Sequence, residues 1–134
     1  MLCAAIPYRT TAAGGIEVLL VTSRGKGRWI LPKGKVEPGM TASQSAEQEV
    51  YEEAGATGVV DQISLASFDI VASANARDRL QIFALEVSTL ALIWPEMFQR
   101  QRRWASLEDA ANLVKGGHFR KALRVFALDR APFA

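Results

Sequence analysis

Hydrophobic and polar positions along this chain follow two different periods. Residues 2–9 (LCAAIPYR) form an apolar run that reads as a first strand, closed by the turn residues Ala12, Ala13, Gly14 and Gly15. Residues 16–22 (IEVLLVT) read as a second strand. The unbroken run Val18–Val21 predicts burial on both faces, and a hairpin joins the two. A short apolar strand begins at Trp29 (WILP) and runs into a Gly/Pro loop bracketed by Gly34 and Gly39. The period then becomes helical. Ala42, Ala46, Val50 and Ala54 recur every four residues and form one buried stripe. Thr41 is placed to cap this helix, Gln44 completes a capping box, and Gly55 supplies the left-handed stop.

After the helix, residues 58–73 read as one long bent strand or a pair, residues 74–77 as a turn, and residues 78–90 as another strand. Residues 99–105 (QRQRRWA) form a short basic segment. Ser106 caps a second helix, with Glu108 and Asp109 favourable in its first turn, and Gly116-Gly117 is expected to end it. A last amphipathic helix is expected over 118–130, with Phe119, Leu123, Phe126 and Ala127 facing the core. The order strands, helix, strands, helix predicts an α+β fold with helices on both faces of a mixed β-sheet.

At 134 residues the chain reads as one domain over 1–134, long enough for a sizeable core. Hydrophobic residues make up 49% and charged residues 22%, an ordinary soluble composition. No apolar run approaches the roughly 20 residues of a membrane span. Met1–Tyr8 lacks the basic start and full apolar segment of a signal peptide. Cys3 is the only cysteine, so no internal disulfide forms. A cytoplasmic protein is expected. The net charge of +2 is too small to argue for nucleic acid.

Candidate chemistry concentrates on the first helix. Glu49, Glu52 and Glu53 stand at i, i+3 and i+4, within reach of one another. Each like-charged pair costs roughly 0.2–0.5 kcal/mol on an exposed helix, so a functional cluster needs an offset. A hard divalent cation supplies one, because Mg²⁺ takes oxygen ligands from carboxylates and substrate phosphates; a solvated acidic face is the plainer alternative. Ahead of the helix, Arg24, Lys26 and Arg28 interleave with Gly25 and Gly27, and Lys33 and Lys35 follow. A basic, glycine-rich loop beside an acidic metal site suits a polyphosphate, and a solvated basic turn is again the alternative. The loop is not a Walker A loop, since G-x4-G-K-[ST] is absent.

Gly34, Glu49, Val50, Glu52, Glu53 and Gly55 stand at the spacing of the Nudix box, G-x5-E-x7-R-E-U-x-E-E-x-G-U, and the chain resembles the Nudix (MutT-like) hydrolase family. The box is degenerate. Met40 stands where the pattern has its first Glu, Gln48 where it has Arg, and Ala56 where it has a larger aliphatic residue. The resemblance implies an α/β/α sandwich. It also implies metal binding by Glu49, Glu52, Glu53 and the Gly34 carbonyl, with Mg²⁺ or Mn²⁺ as cofactor. Those glutamates would be the catalytic groups, Glu52 or Glu53 accepting a proton from water. The Arg of the pattern holds a catalytic Glu by an ion pair, whereas Gln48 offers an uncharged hydrogen bond.

SRGKGRWILPKGKVEPG, with Trp94, Arg100, Arg102, Trp104 and Glu108-Asp109-Ala110, looks closest to the diphosphoinositol polyphosphate and diadenosine polyphosphate phosphohydrolase branch. That likeness implies a polyphosphorylated small-molecule substrate contacted by Arg24, Lys26, Arg28, Lys33, Arg79, Arg100 and Arg102. A loop carboxylate at Glu96 would be a further metal ligand or base. Trp29, Trp94 and Trp104 either stack a nucleobase or pack structurally. His118 is either an acid–base group or a surface residue. The family also allows a homodimer. The expectation is a Mg²⁺-dependent pyrophosphohydrolase. Its rivals are a Nudix-fold module that binds nucleotides or polyphosphates with little hydrolysis and, behind it, a nucleic-acid-binding domain using residues 99–104.

Overall fold

The computed structural model describes residues 1–130; the end of the expected 1–134 domain, residues 131–134, lies outside the described residues. In chain order the elements are β1 (Leu2–Thr10), β2 (Ile16–Thr22), β3 (Trp29–Ile30), β4 (Lys33–Lys35), α1 (Ala42–Ala54), β5 (Ala56–Val60), β6 (Ala66–Ser73), β7 (Ala76–Leu90), β8 (Arg102–Ser106), α2 (Leu107–Leu113) and α3 (Gly117–Asp129). The strands form one mixed sheet. Among the described residues no helix is long and apolar enough to cross a membrane.

β1 organises the sheet. Its residues Cys3, Ala4, Ala5 and Ile6 are all fully buried, as an apolar run without alternation requires. One edge pairs in parallel with β7, from Leu2↔Leu80 to Tyr8↔Glu86. The other edge is divided: residues 8–10 pair with β2 and residues 2–4 with β4, both antiparallel. β2 carries on to β3 and β8. The sheet therefore parts where β1 exchanges β2 for β4, and α1 follows directly after β4.

The helices cover opposite faces. Gly34 pairs with Cys3, and a Cβ on Gly34 would run into the Glu49 side chain of α1. Tyr8 instead packs its ring 5.0 Å from that of Phe126 in α3. Cys3 and Tyr8 differ by an odd number of residues, so they point to opposite faces of the strand. Phe126, fully buried there, contributes on the order of 2–3 kcal/mol by leaving water.

Two expectations are corrected and two readings are made definite. Of the two readings of 58–73 the pair holds: β5 and β6 lie end to end along the far edge of β7. Their connector stays tied to β7 through the Asp61 and Leu65 N–H groups. The turn before β7 is shorter than expected, since β7 begins at Ala76. The basic segment contains a strand, β8, because Val18↔Ala105 continues the sheet beyond β2. The second helix ends at Leu113 rather than at the glycine pair. Val114 turns extended and the Lys115 N–H donates to the Trp29 carbonyl at 2.8 Å, drawing the chain off the helix. Gly116 and Gly117 instead start α3, whose buried residues are Phe119, Ala122, Leu123 and Phe126, while Ala127 is half-buried.

Candidate active site

The start and stop of α1 are the ones its sequence encodes. The Gln44 N–H donates to the Thr41 hydroxyl (3.2 Å) and the Thr41 N–H to the Gln44 side chain (2.9 Å). Gly55 closes the helix with φ of 67°. The last carbonyls would otherwise lack donors, and residues 91–102 supply them. The Glu96 N–H donates to the Glu52 carbonyl (3.0 Å), Trp94 Nε1 to that of Glu53 (3.1 Å), and Arg102 Nη1 to that of Ala54 (2.9 Å). The Arg102 guanidinium also lies 3.8 Å over the Trp94 ring. A cation at this end favours the helix dipole as well.

This docking brings a buried charge network under α1. Glu53 is 1% exposed. Its Oε1 has no hydrogen-bond donor and lies 3.7 Å from Nη2 of Arg100. Arg100 donates from Nε to Glu96 Oε1 at 2.8 Å and from Nη1 to the Thr22 carbonyl at 3.0 Å. The guanidinium thus joins three segments: α1, the 91–101 loop and the end of β2.

Glu49 lies one turn before Glu53, and the two carboxyls are within hydrogen-bonding reach, which a shared proton satisfies. Burial first, and this bond to Glu49 second, push the Glu53 carboxyl up to about 9, against the opposing pull of Arg100. Burial likewise raises Glu49. Glu49 packs directly on Gly34, where any side chain would collide with it; glycine is required here for close approach. Cys3 Sγ donates to the Gly34 carbonyl at 3.5 Å, and burial pushes its thiol up to about 11.

The expected glutamate triad is only partly assembled. Glu52 is half-exposed and its Oε1 accepts from Gln48 Nε2 at 2.9 Å, while its charge lies close enough to Glu49 to help raise that carboxyl. Among the described residues no three His, Cys, Asp or Glu side chains are already gathered as a metal-holding group. Two of the gathered donors suit a hard divalent cation: the Glu49 and Glu53 carboxylates, Glu49 packed against Gly34, with one buried carboxylate oxygen lacking a donor.

The expected phosphate contacts separate into groups. Arg24, Lys26 and Arg28 are exposed in the loop between β2 and β3, Arg24 donating to the Gln99 side chain at 3.3 Å. Lys33 is turned away from Glu49. It neighbours Gly34 in β4 and therefore faces the other side of the sheet, its Nζ 5.8 Å from the Phe119 ring centre. Arg79 shares the sheet face of Gly34 through the Cys3↔Gln81 register, but its guanidinium is engaged by Asp69 (3.0 Å) and Ser67 (2.8 Å). Arg100 and Arg102 are not open to substrate, because both are committed beneath α1. Each tryptophan is covered by an arginine: Trp29 by Arg103, Trp94 by Arg102 and Trp104 by Arg9. His118 is exposed and stacks on Phe68 at 4.6 Å.

The burial of Glu53 had a visible signal. Ala46, Val50 and Glu53 stand at i, i+4 and i+7, so Glu53 continues the buried stripe. The anchoring role of Arg100 had none, since its partner Thr22 is 78 residues away in sequence.

A mixed sheet parts at one strand, an acidic helix is seated on the parting, and a basic glycine loop follows β2. The model of the NUDIX domain matches residues 3–126, and the chain belongs to this family. It is 38% identical over 125 residues to Nudix hydrolase 21, chloroplastic, of Arabidopsis thaliana, covering 90% of this chain and 63% of that protein. It is 36% identical over 102 residues to mouse diphosphoinositol polyphosphate phosphohydrolase 3-alpha, covering 74% of this chain and 60% of that protein. The chain thus spans less than two-thirds of the length of these curated relatives. Among solved structures, a C. elegans Ap4A hydrolase binary complex superposes with a TM-score of 0.72 at 26% identity, covering 99% of this chain and 100% of that one.

Proposed function

We propose that this chain is a divalent-metal-dependent hydrolase of phosphoanhydride bonds in a polyphosphorylated small molecule, of the diadenosine polyphosphate or diphosphoinositol polyphosphate kind. Mg²⁺ is the favoured cation and Mn²⁺ the second. The observation that carries the reading is the Glu49–Glu53 pair, braced against Gly34 and Arg100 with a buried oxygen free for a ligand. When bound, the cation supplies Lewis acidity toward a phosphate oxygen and lowers the pKa of an attacking water.

The chain's own groups do the rest. Glu49, Glu53 and the Gly34 carbonyl would hold the cation. Arg100 fixes Glu53 and Glu96 in place. Glu52, half-exposed and oriented by Gln48, accepts the proton as a water oxygen bonds to phosphorus and the phosphoanhydride P–O bond breaks. Arg24, Lys26 and Arg28 meet the outer phosphates as exposed cations.

A second reading has one observation in its favour. Gln48 holds Glu52 without charge, and Met40 brings no ligand, as in a module that binds polyphosphate and turns it over little. Product release from diadenosine polyphosphates, inositol pyrophosphates, nucleoside triphosphates and nucleotide sugars, with and without Mg²⁺, separates the two. Metal-dependent cleavage of one class is expected. Tight binding with no cleavage anywhere would favour the binding module.

A further inference from the structure

The loop between β7 and β8 is tied down on one side and bare on the other. The Ala91 N–H donates to the Gly55 carbonyl (2.8 Å), Trp94 Nε1 to that of Glu53 (3.1 Å) and the Glu96 N–H to that of Glu52 (3.0 Å). Turns follow, with the Met97 N–H donating to the Trp94 carbonyl and the Gln99 N–H to that of Glu96. The apolar side chains between these anchors stay outside. Leu92 is 87% exposed, Ile93 78% and Phe98 93%. A single exposed apolar residue is ordinary, but three within residues 92–98, on a backbone fixed by hydrogen bonds, mark an interaction surface. The neighbouring loop brings charge. Arg24 donates to the Gln99 side chain (3.3 Å), and Thr22 and Gln101 exchange hydrogen bonds, so the 23–28 loop runs alongside 97–101. Arg24, Lys26 and Arg28 are exposed there, and no carboxylate occurs between Thr22 and Val36. The carboxylate within 91–103 is Glu96, already paired with Arg100.

We propose that this face docks on an anionic lipid surface: Leu92, Ile93 and Phe98 enter the boundary between headgroups and acyl chains, while Arg24, Lys26 and Arg28 lie against the lipid phosphates. This is contact with one leaflet and not a span. Each half has its own task. The cations draw the chain to a negative leaflet, an attraction that fades within a Debye length of roughly 8 Å. The apolar side chains hold it there by leaving water. They also distinguish a membrane from a free polyphosphate, which satisfies the same three cations but has nothing to offer a leucine or a phenylalanine. A protein partner suits the face less well. Side chains this exposed have no neighbours with which to build the shaped pocket that a protein anchor needs, and a fluid bilayer needs none. Neither a metal nor turnover enters the proposal, so it stands apart from the hydrolase reading.

The test is co-sedimentation of the whole chain with vesicles of phosphatidylcholine alone and with vesicles in which about one-third of the lipid is phosphatidylserine. Binding to the anionic vesicles is expected to exceed binding to the neutral ones at least about tenfold, and to weaken at least about fivefold from about 0.1 M to about 0.5 M salt. The triple substitution Leu92→Ser, Ile93→Ser and Phe98→Ser should lower binding at least about tenfold. Its melting midpoint should stay within about 2 °C of wild type, because these side chains bury little. Phe98→Ser alone, expected to cost at least about threefold, tests the same claim should the triple variant melt early. Absence of sedimentation with either vesicle overturns the proposal, as does equal binding to neutral vesicles or binding that the serine substitutions leave unchanged. Sedimentation velocity checks the rival occupant. A wild-type dimer that the triple substitution dissociates, without vesicle binding, overturns the proposal and assigns the face to a second copy of the chain.

Discussion

Helix α1 carries two side-chain pairs of the same i, i+4 spacing, one residue out of step. The inner pair, Glu49 and Glu53, packs against Gly34 and the buried Arg100. The outer pair, Gln48 and Glu52, hydrogen-bonds in half-exposed surroundings. The same chemical step, replacing an arginine by glutamine at position 48, therefore falls on a solvent-facing pair, where an added charge contributes least to the fold. An exposed ion pair is worth roughly 0–1 kcal/mol. The inner carboxylate receives its cation from Arg100, outside the motif altogether. Departure from the Nudix pattern at Gln48 is thus a change of outer support rather than loss of the inner ligand pair.

The comparison breaks most visibly at Glu53. Glu53→Gln is expected to lower kcat of metal-dependent turnover by about 10²–10⁴-fold, read from initial rates over a Mg²⁺ series; an unchanged rate would place the reaction elsewhere. Arg100→Ala comes next. It leaves the half-buried Glu96 and the Thr22 carbonyl without their donor, and urea unfolding should show a loss of roughly 2 kcal/mol. Arg100→Lys keeps the charge but not the three-way contact, and should fall between.

The burial of Glu53 also sets a pH dependence in the metal-free protein. Its carboxyl is pushed from 4.5 up to about 9 on folding. Folding therefore takes up a proton, so this contribution is complete below about 4.5 and is lost as pH rises through 9. Thermal melts in EDTA should show the midpoint falling between pH 5 and 9. In Glu53→Gln that fall should be smaller by roughly 5 °C. A wild-type midpoint rising over that range would mean that the carboxyl folds ionised. The smallest effect is expected at the outer pair. Gln48→Arg, alone or with Met40→Glu, should change turnover by no more than about threefold. A hundredfold gain would show that these departures had silenced the site.

Much of this architecture was legible in local pattern. The α1 caps, the apolar runs of β1 and β2 and the Ser106 cap are each decided by residues within a few positions of one another, and all stand where the sequence puts them. What was not legible depends on distant partners. Gly116-Gly117 has the composition of a helix end, but the chain leaves α2 earlier because Lys115 bonds to Trp29. Lys33 has the right charge for a phosphate and the wrong parity, which only the β4 register reveals. Arg100 and Arg102 look like substrate-binding cations in a basic segment. The Ala54 carbonyl at the end of α1 and the buried Glu53 claim them first.

The division between the inner and outer pairs is tested most directly by Mn²⁺ binding, followed by paramagnetic resonance, in wild type, Glu53→Gln and Glu52→Gln. The account predicts that Glu53→Gln loses the bound ion while Glu52→Gln keeps it within about tenfold of wild type. Retention by Glu53→Gln with loss in Glu52→Gln would contradict it, and would place the metal on the outer face of α1.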